Sequence, residues 1–345
     1  MNPVLIHGVL GAGSRGRPIA RDLSFVVPRY RLTIAYDGTG FHGWQKQEPP
    51  VPDESEASRR AYEAAAAEGL EPGTPGRVAL RTVQAVVERA VREVVREPIE
   101  LRGASRTDSG VHARGQVAAF TCSDDTDGRG WPIDRGLDTL VRAVNGKLAE
   151  DVQVLAAEVV ADDFDPIARC TSKGYSYTLH VSPVRPLWDR RYVQQVWVPL
   201  DVGRMREAAE RIVGEHDFAA FAAAGHGRQT TVRTVHGVGI SDEATERRSD
   251  EGGERRSDGG GERSRRVRIE VSGNGFLYNM VRIIAGTLVE VGRGKMTPDD
   301  VSAAIKSKDR RNAGPTLPAQ GLCLEWVEYG TADQRSDKCE MKNPT

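Results

Sequence analysis

IELRGASRTDSGVHARGQVAAFT, residues 99–121, holds two apolar runs of strand length, Ile99–Ala104 and Gln116–Thr121, with a compact loop between them. The loop carries Arg106, Asp108 and two glycines, Gly110 and Gly115. Asp108 stands just before Ser109-Gly110, a turn in which Gly110 can take positive φ and the aspartate can project outward. A neighbouring guanidinium favours the ionised carboxylate, so Arg106 is expected to lower the pKa of Asp108 and leave it an anionic nucleophile or general base. The plain alternative is an Asx turn in which Asp108 bonds its own backbone beside a solvated Arg106. His112 is read as a structural hydrogen-bonder, because no other His, Cys or Asp stands at metal-ligand spacing from it.

Outward from this loop, the first half of the chain reads as βαββαβ. Tyr30, Leu32, Ile34 and Tyr36 alternate with Arg31, Thr33 and Ala35, the period of a half-buried strand. Thr82 is a suitable N-cap for a helix with Val83, Val86, Val87, Ala90, Val91, Val94 and Val95 on one face. Leu137, Leu140, Val141 and Val144 mark a second helix, and Val152–Val160 a returning strand. That order is the ferredoxin-like unit. The second half supplies strands near Ser172–Val181, Tyr192–Val198, Val232–Ile240, Val267–Val271 and Leu322–Tyr329. Its helices are Val202–Val213, an apolar one over Leu277–Val291, and a short one opened by Pro298. The fold class is therefore α+β, in two halves whose sheets can pack together and leave a cleft.

The loop resembles the RTDAGVHA signature of the tRNA pseudouridine synthase A family, with Ser109 where alanine is usual and Ser105 where glycine is common. Four more segments resemble that family in the same order: YRLTIAYDGTGFHGWQKQ from Tyr30, DFDPIARCTSKGYSYTL from Asp163, GEHDF from Gly214, and NGFLYNMVR from Asn274. The resemblance implies a pseudouridine synthase fold of two ferredoxin-like, RRM-like halves around a central antiparallel sheet flanked by helices. It implies isomerisation of uridine to pseudouridine in the anticodon stem-loop of tRNA, at positions 38 to 40, with no cofactor and no metal. By the same resemblance Asp108 is the catalytic aspartate and Arg106 assists extrusion of the target base. Tyr175 stacks on the uracil or relays a proton, with Phe276 and Leu277 as pocket walls. Arg282 sits in the most apolar helix of the chain, where an unpaired charge is costly, so it requires a carboxylate partner. Asp108 is assigned that place, with Glu290 as the structural alternative. The family also implies a homodimer with tRNA spanning both subunits. The competing readings are a synthase acting on another tRNA or RNA position, a non-catalytic RNA-binding protein, and a metal-assisted hydrolase built on Asp108 and His112.

The expected division is a flexible extension over 1–28, a first half over 29–165 with an insert at 48–80, a second half over 166–330 and a polar tail over 331–345. Within the second half, 242–266 repeats ERRSD with glycines and has nothing to bury, so a disordered insert is expected. Ala57–Ala67 reads as a surface helix inside the other insert. Gly11-Ala12-Gly13-Ser14-Arg15-Gly16 fits G-x-G-x-x-G, yet Arg17-Pro18 follows where an uninterrupted helix is needed, so a dinucleotide site is rejected. A net charge of -1 over 345 residues is unusual for an RNA binder. Acids gather between Glu48 and Glu71, however, while Arg102, Arg106, Arg114, Arg169, Lys173, Arg282, Arg293 and Lys295 lie in or beside the motifs. Cys122, Cys170, Cys323 and Cys339 form no CxxC pair and are expected reduced and mostly buried. With no apolar run of membrane-helix length, the protein is expected in the cytoplasm.

Overall fold

A computed structural model describes residues 27–330, apart from 51–59, 61–62, 64–66, 68–69, 71–76, 125–127, 224–229 and 245–263. Most of the expected N-terminal extension, the Ala57–Ala67 helix apart from Arg60, Glu63 and Ala67, which are helical and exposed, the centre of the 242–266 insert and the 331–345 tail lie outside the described residues.

Ten strands are described: β1 (Arg29–Tyr36), β2 (Arg102–Gly103), β3 (His112–Thr121), β4 (Val152–Val160), β5 (Cys170–Val181), β6 (Gln194–Val196), β7 (Gly214–Asp217), β8 (Val232–Ala244), β9 (Arg265–Gly273) and β10 (Leu322–Tyr329). They form one sheet in the order β4-β1-β3-β10-β5-β9-β8-β7, with β2 on β3 and β6 on β5. The expected antiparallel sheet is a mixed one. β10 runs parallel to β3 through Cys323↔His112 and Leu324↔Ala113, and antiparallel to β5 on its other side. β6 is likewise parallel to β5. β10 must satisfy both neighbours, and the direction that suits β5 makes it parallel to β3.

β1 alternates as its residues require: Tyr30, Leu32 and Ile34 are fully buried and the residues between them face outward. Helix α1 (Val83–Val95) begins where Thr82 accepts a hydrogen bond from the Ala85 N–H and ends at Arg96, whose φ of 56° is left-handed. Its valine face is buried against the sheet, each such side chain contributing about 1.5–3 kcal/mol relative to exposure. Helix α2 (Leu137–Asn145) covers the same layer through Leu140 and Val144.

The run expected as a strand over Ile99–Ala104 shrinks to Arg102–Gly103, because side chains of α1 take the backbone groups that a ladder would use. Glu88 Oε2 accepts the Leu101 N–H at 3.0 Å, Gln84 Nε2 donates to Leu101 O at 2.7 Å, and Arg92 donates to Ile99 O. Glu88 is itself buried, and Lys46 and Arg92 neutralise it.

In the second half, helix α3 (Val202–Glu210) stops short of Val213, where Arg211 and Ile212 close a tight turn onto Ala208 and Ala209. β6 is shorter than the expected Tyr192–Val198; Trp197 and Val198 are exposed. β8 and β9 pair as far as Ala244 and Arg265, so 242–244 and 265–266 are strand and not part of a disordered insert. Helix α4 (Met280–Gly292) is buried almost all round and starts three residues later than expected, after Asn279 at a left-handed φ of 61°. Helix α5 (Pro298–Ser307) has a capping box between Thr297 and Asp300. The segment after it crosses α4 so closely that a Cβ on Gly286 would lie 1.9 Å from Pro315 O. Of the described cysteines, all free, only Cys122 is buried; Cys170 and Cys323 are half-buried. Among the described residues no helix is long and apolar enough to cross a membrane.

Candidate active site

The β2–β3 loop is clamped along its length. Gln116, fully buried, donates from Nε2 to Ser105 O at 2.6 Å and accepts the Ser105 N–H on Oε1. Thr107 O accepts the Trp44 N–H at 3.0 Å, and its hydroxyl pairs with the Tyr36 hydroxyl at 2.7 Å. Ser109 donates to Phe41 O, and Val111 N–H closes a turn onto Asp108 O. Gly110 sits at φ +80° as that turn requires. Gly43, at φ +90°, lets the 39–44 segment approach; a Cβ there would be 2.8 Å from Thr107 O.

Two distant elements meet this loop. β10 lies between β3 and β5 and carries β5 to within reach, so the Tyr175 hydroxyl pairs with Ser105 Oγ at 2.9 Å. Phe276 stands edge-on to the Tyr175 ring, centroids 5.4 Å apart at 89°. Leu277 is buried beside it in sequence. Burial pushes the Tyr175 hydroxyl well above its ordinary pKa, with the charge of Asp108 adding in the same direction. From the start of α4, Arg282 Nη1 lies 3.4 Å from Asp108 Oδ2 and 2.7 Å from Asn279 Oδ1, while Nε donates to Leu317 O at 2.6 Å. Glu290, the alternative partner, pairs instead with Arg293 and Lys295.

Arg106 does not do what its position in the sequence suggests. It is exposed and makes no ion pair or hydrogen bond among the described residues. The carboxyl of Asp108 is held above the ordinary carboxylate value, first by burial, with Arg282 pulling it back down. The expected lowering by Arg106 is therefore corrected twice: the net direction is upward, and the cation that acts is Arg282. An exposed guanidinium two residues away is screened by water, whereas Arg282 is approached through the protein.

The hydrolase reading loses its histidine. His112 Nδ1 accepts the Gly38 N–H at 3.0 Å and lies 3.2 Å from Asp37 Oδ1, and Nε2 meets Arg191 O at 2.9 Å, so both ring nitrogens are already engaged. Tyr177, two residues after Tyr175 on β5, is fully buried and donates to Pro318 O at 2.7 Å.

A family model described as tRNA pseudouridine synthase matches residues 208–330. Over 299 residues, 87% of this chain and 98% of the relative, the protein is 36% identical to "tRNA pseudouridine synthase A 2" of Clostridium perfringens. It is 38% identical, over the same shares, to the proteins named "tRNA pseudouridine synthase A" in Pelobacter propionicus and Geobacter sulfurreducens. The chain belongs to the tRNA pseudouridine synthase A family. Within this family member the matched segment takes in Phe276, Leu277 and Arg282, while Asp108 and Tyr175 precede it.

Four members of the constellation carry no clear mark in the sequence. The Ser105 hydroxyl and the Gln116 amide are ordinary polar residues until the loop folds around them. Asn279 three residues before Arg282, at a helix entrance, is a weak signal that was there to be read. The Leu317 carbonyl has none. Chemically, the family member presents a part-buried carboxylate steered by one guanidinium, with a buried tyrosine and an aromatic edge alongside.

Proposed function

We propose that this protein isomerises uridine to pseudouridine in the anticodon stem-loop of tRNA, at positions 38 to 40, with Asp108 as the reacting carboxylate. The observation that carries the reading is the meeting of Asp108 with Arg282, from segments 174 residues apart, beside the buried Tyr175. The reaction breaks the bond from ribose C1′ to uracil N1 and makes one to C5; the C5 hydrogen leaves and N1 gains a proton. A stacked base is out of reach of any side chain, so the nucleotide must first be extruded, at a cost of a few kcal/mol. Arg106, exposed and without an acidic partner among the described residues, is free to assist extrusion or hold the vacated backbone.

Asp108 then attacks the ring at C6 or the sugar at C1′, or assists a glycal route; each requires the anion. Arg282 favours that anion, and burial makes it more reactive than a solvated carboxylate. Tyr175 lies against the site with its hydroxyl fixed by Ser105, suited to hold the uracil plane, and Phe276 with Leu277 closes the apolar side. The sheet is proposed as two ferredoxin-like halves joined through β10, with the cleft between them receiving RNA. The protein is proposed to act as a cytoplasmic homodimer whose tRNA spans both subunits.

The test is tritium release from tRNA carrying 5-tritiated uridine, for the wild type and Asp108→Asn. Release by the wild type and none by the variant is expected. Release surviving in the variant removes Asp108 from the reaction. Pseudouridine mapping in tRNA from cells lacking the gene then reads the positions directly.

A further inference from the structure

A cleft of about 390 Å³ opens beside the Asp108 loop, lined by Thr39, Gly110, Arg190, Arg191, Ala319 and Gln320. Its two arginines belong to the segment between β5 and β6, which is tied down at several points. His112 Nε2 meets Arg191 O at 2.9 Å, the Tyr192 hydroxyl donates to Asp37 Oδ2 at 2.8 Å, and the Tyr192 ring lies 5.0 Å from that of His112. Arg190 Nη1 donates to Leu187 O at 2.7 Å, which orders its side chain without neutralising it.

The charge in this cleft is uncompensated. Arg190 and Arg191 are exposed and have no carboxylate partner among the described residues. The acid of their own segment, Asp189, is bound to Arg266. Asp37, joined to this segment through Tyr192, already accepts from the Thr39 N–H, the Thr39 hydroxyl and Tyr192. The Arg190 guanidinium, held by Leu187 O, and Arg191, anchored by its backbone carbonyl on His112, stand beside a glycine of the same loop as Asp108 and form a receptor for an anion with fork-shaped acceptors.

We infer that this cleft is a phosphodiester subsite, in which Arg190 and Arg191 grip the RNA backbone next to the nucleotide presented to Asp108. The inference rests on the proposed reading of the protein as a tRNA-modifying enzyme, and it names where that RNA is held. Phosphate contacts fix register and carry no sequence information, which suits a substrate read by shape. His112 thereby acquires a purpose: it joins the strand that follows the reactive loop to the segment that holds the backbone, so the two move as one.

The experiment is equilibrium binding of fluorescently labelled tRNA across a potassium chloride series, for the wild type, an Arg190→Ala/Arg191→Ala variant and an Arg190→Lys/Arg191→Lys variant. Counterion release gives a slope of about 0.7–0.9 in log Kd against log salt for each phosphate contact, so the alanine pair should reduce the slope by about 1.4–1.8. The lysine pair, which keeps both charges, should retain most of the slope, and that separates lost contacts from lost folding. An unreduced slope in the alanine pair overturns the subsite. So does a change confined to sedimentation, which would assign the cleft to a second copy of the chain. Tritium release by the wild type is measured alongside: a reduced slope in a protein that releases none keeps the subsite and removes the reaction, and the converse result removes the subsite alone.

Discussion

Replacing Arg282 by methionine tests the proposed chemistry at its electrostatic centre. Methionine keeps much of the side-chain volume in an apolar helix, so the change is chiefly one of charge and hydrogen bonding. At 3.4 Å, opposite unit charges attract by about 1.2 kcal/mol with the screening of water and by about 5 kcal/mol at an effective dielectric of 20. The side chains are 17% and 29% exposed, placing the pair between those limits, and the 3.4 Å contact is long for a charged hydrogen bond. About 2 kcal/mol is a reasonable centre, equivalent to about 30-fold in rate where the ionised aspartate is needed in the transition state. Arg282 favours the anion, so its removal must push Asp108 further upward and move the acid limb of the rate profile to higher pH. Single-turnover tritium release at saturating tRNA, from about pH 5 to 9, measures both quantities. A rate within threefold of wild type with an unmoved acid limb would falsify the assignment, whatever happens to tRNA affinity.

The remaining expectations probe the surroundings of that pair. Asp108→Asn should abolish release yet leave the melting temperature at neutral pH unchanged or higher. Because the folded state holds the Asp108 carboxyl above its unfolded value, its contribution to stability is present at low pH and is lost as pH rises through the folded pKa; a clear drop in melting temperature for the variant would contradict this. Gly286→Ala puts a methyl within 1.9 Å of Pro315 O and should cost about 1–3 kcal/mol or more in urea unfolding, with the Leu317 contact to Arg282 disturbed as well. An alanine variant as stable as wild type would show that the 313–318 segment yields freely. Tyr175→Phe loses the hydrogen bond to Ser105 and keeps the edge contact with Phe276, so a loss of about 1 kcal/mol is expected in the same assay. A variant that loses several times that amount would make Tyr175 a structural keystone first.

Local periodicity reads well in this chain because burial on one face imposes it. The alternation of β1 and the valine spacing of α1 both survive into the fold, and the demand of a lone arginine in an apolar helix for a carboxylate is met at Asp108. What is not legible depends on who reaches a backbone group first. Nothing in Ile99–Ala104 indicates that Gln84, Glu88 and Arg92 take its carbonyls and amides, leaving a two-residue strand. Proximity in sequence also misleads for charge: Arg106 is two residues from Asp108 and electrically remote, whereas Arg282 is 174 away and adjacent. Nor does an eight-residue run of strand character reveal that it runs parallel to one neighbour and antiparallel to the other, as β10 does.

The place of β10 has a consequence for biosynthesis. Residues 322–329 leave the ribosome after every other described strand, yet they stitch β3 to β5 in the middle of the sheet. Until they emerge, both strands present open edges, the kind of surface that recruits foreign chains and chaperones. Asp108 and Tyr175 are therefore brought into register by a strand translated after all the other described ones, so a nascent polypeptide stalled before Leu322 is expected to be inert toward RNA and prone to clumping.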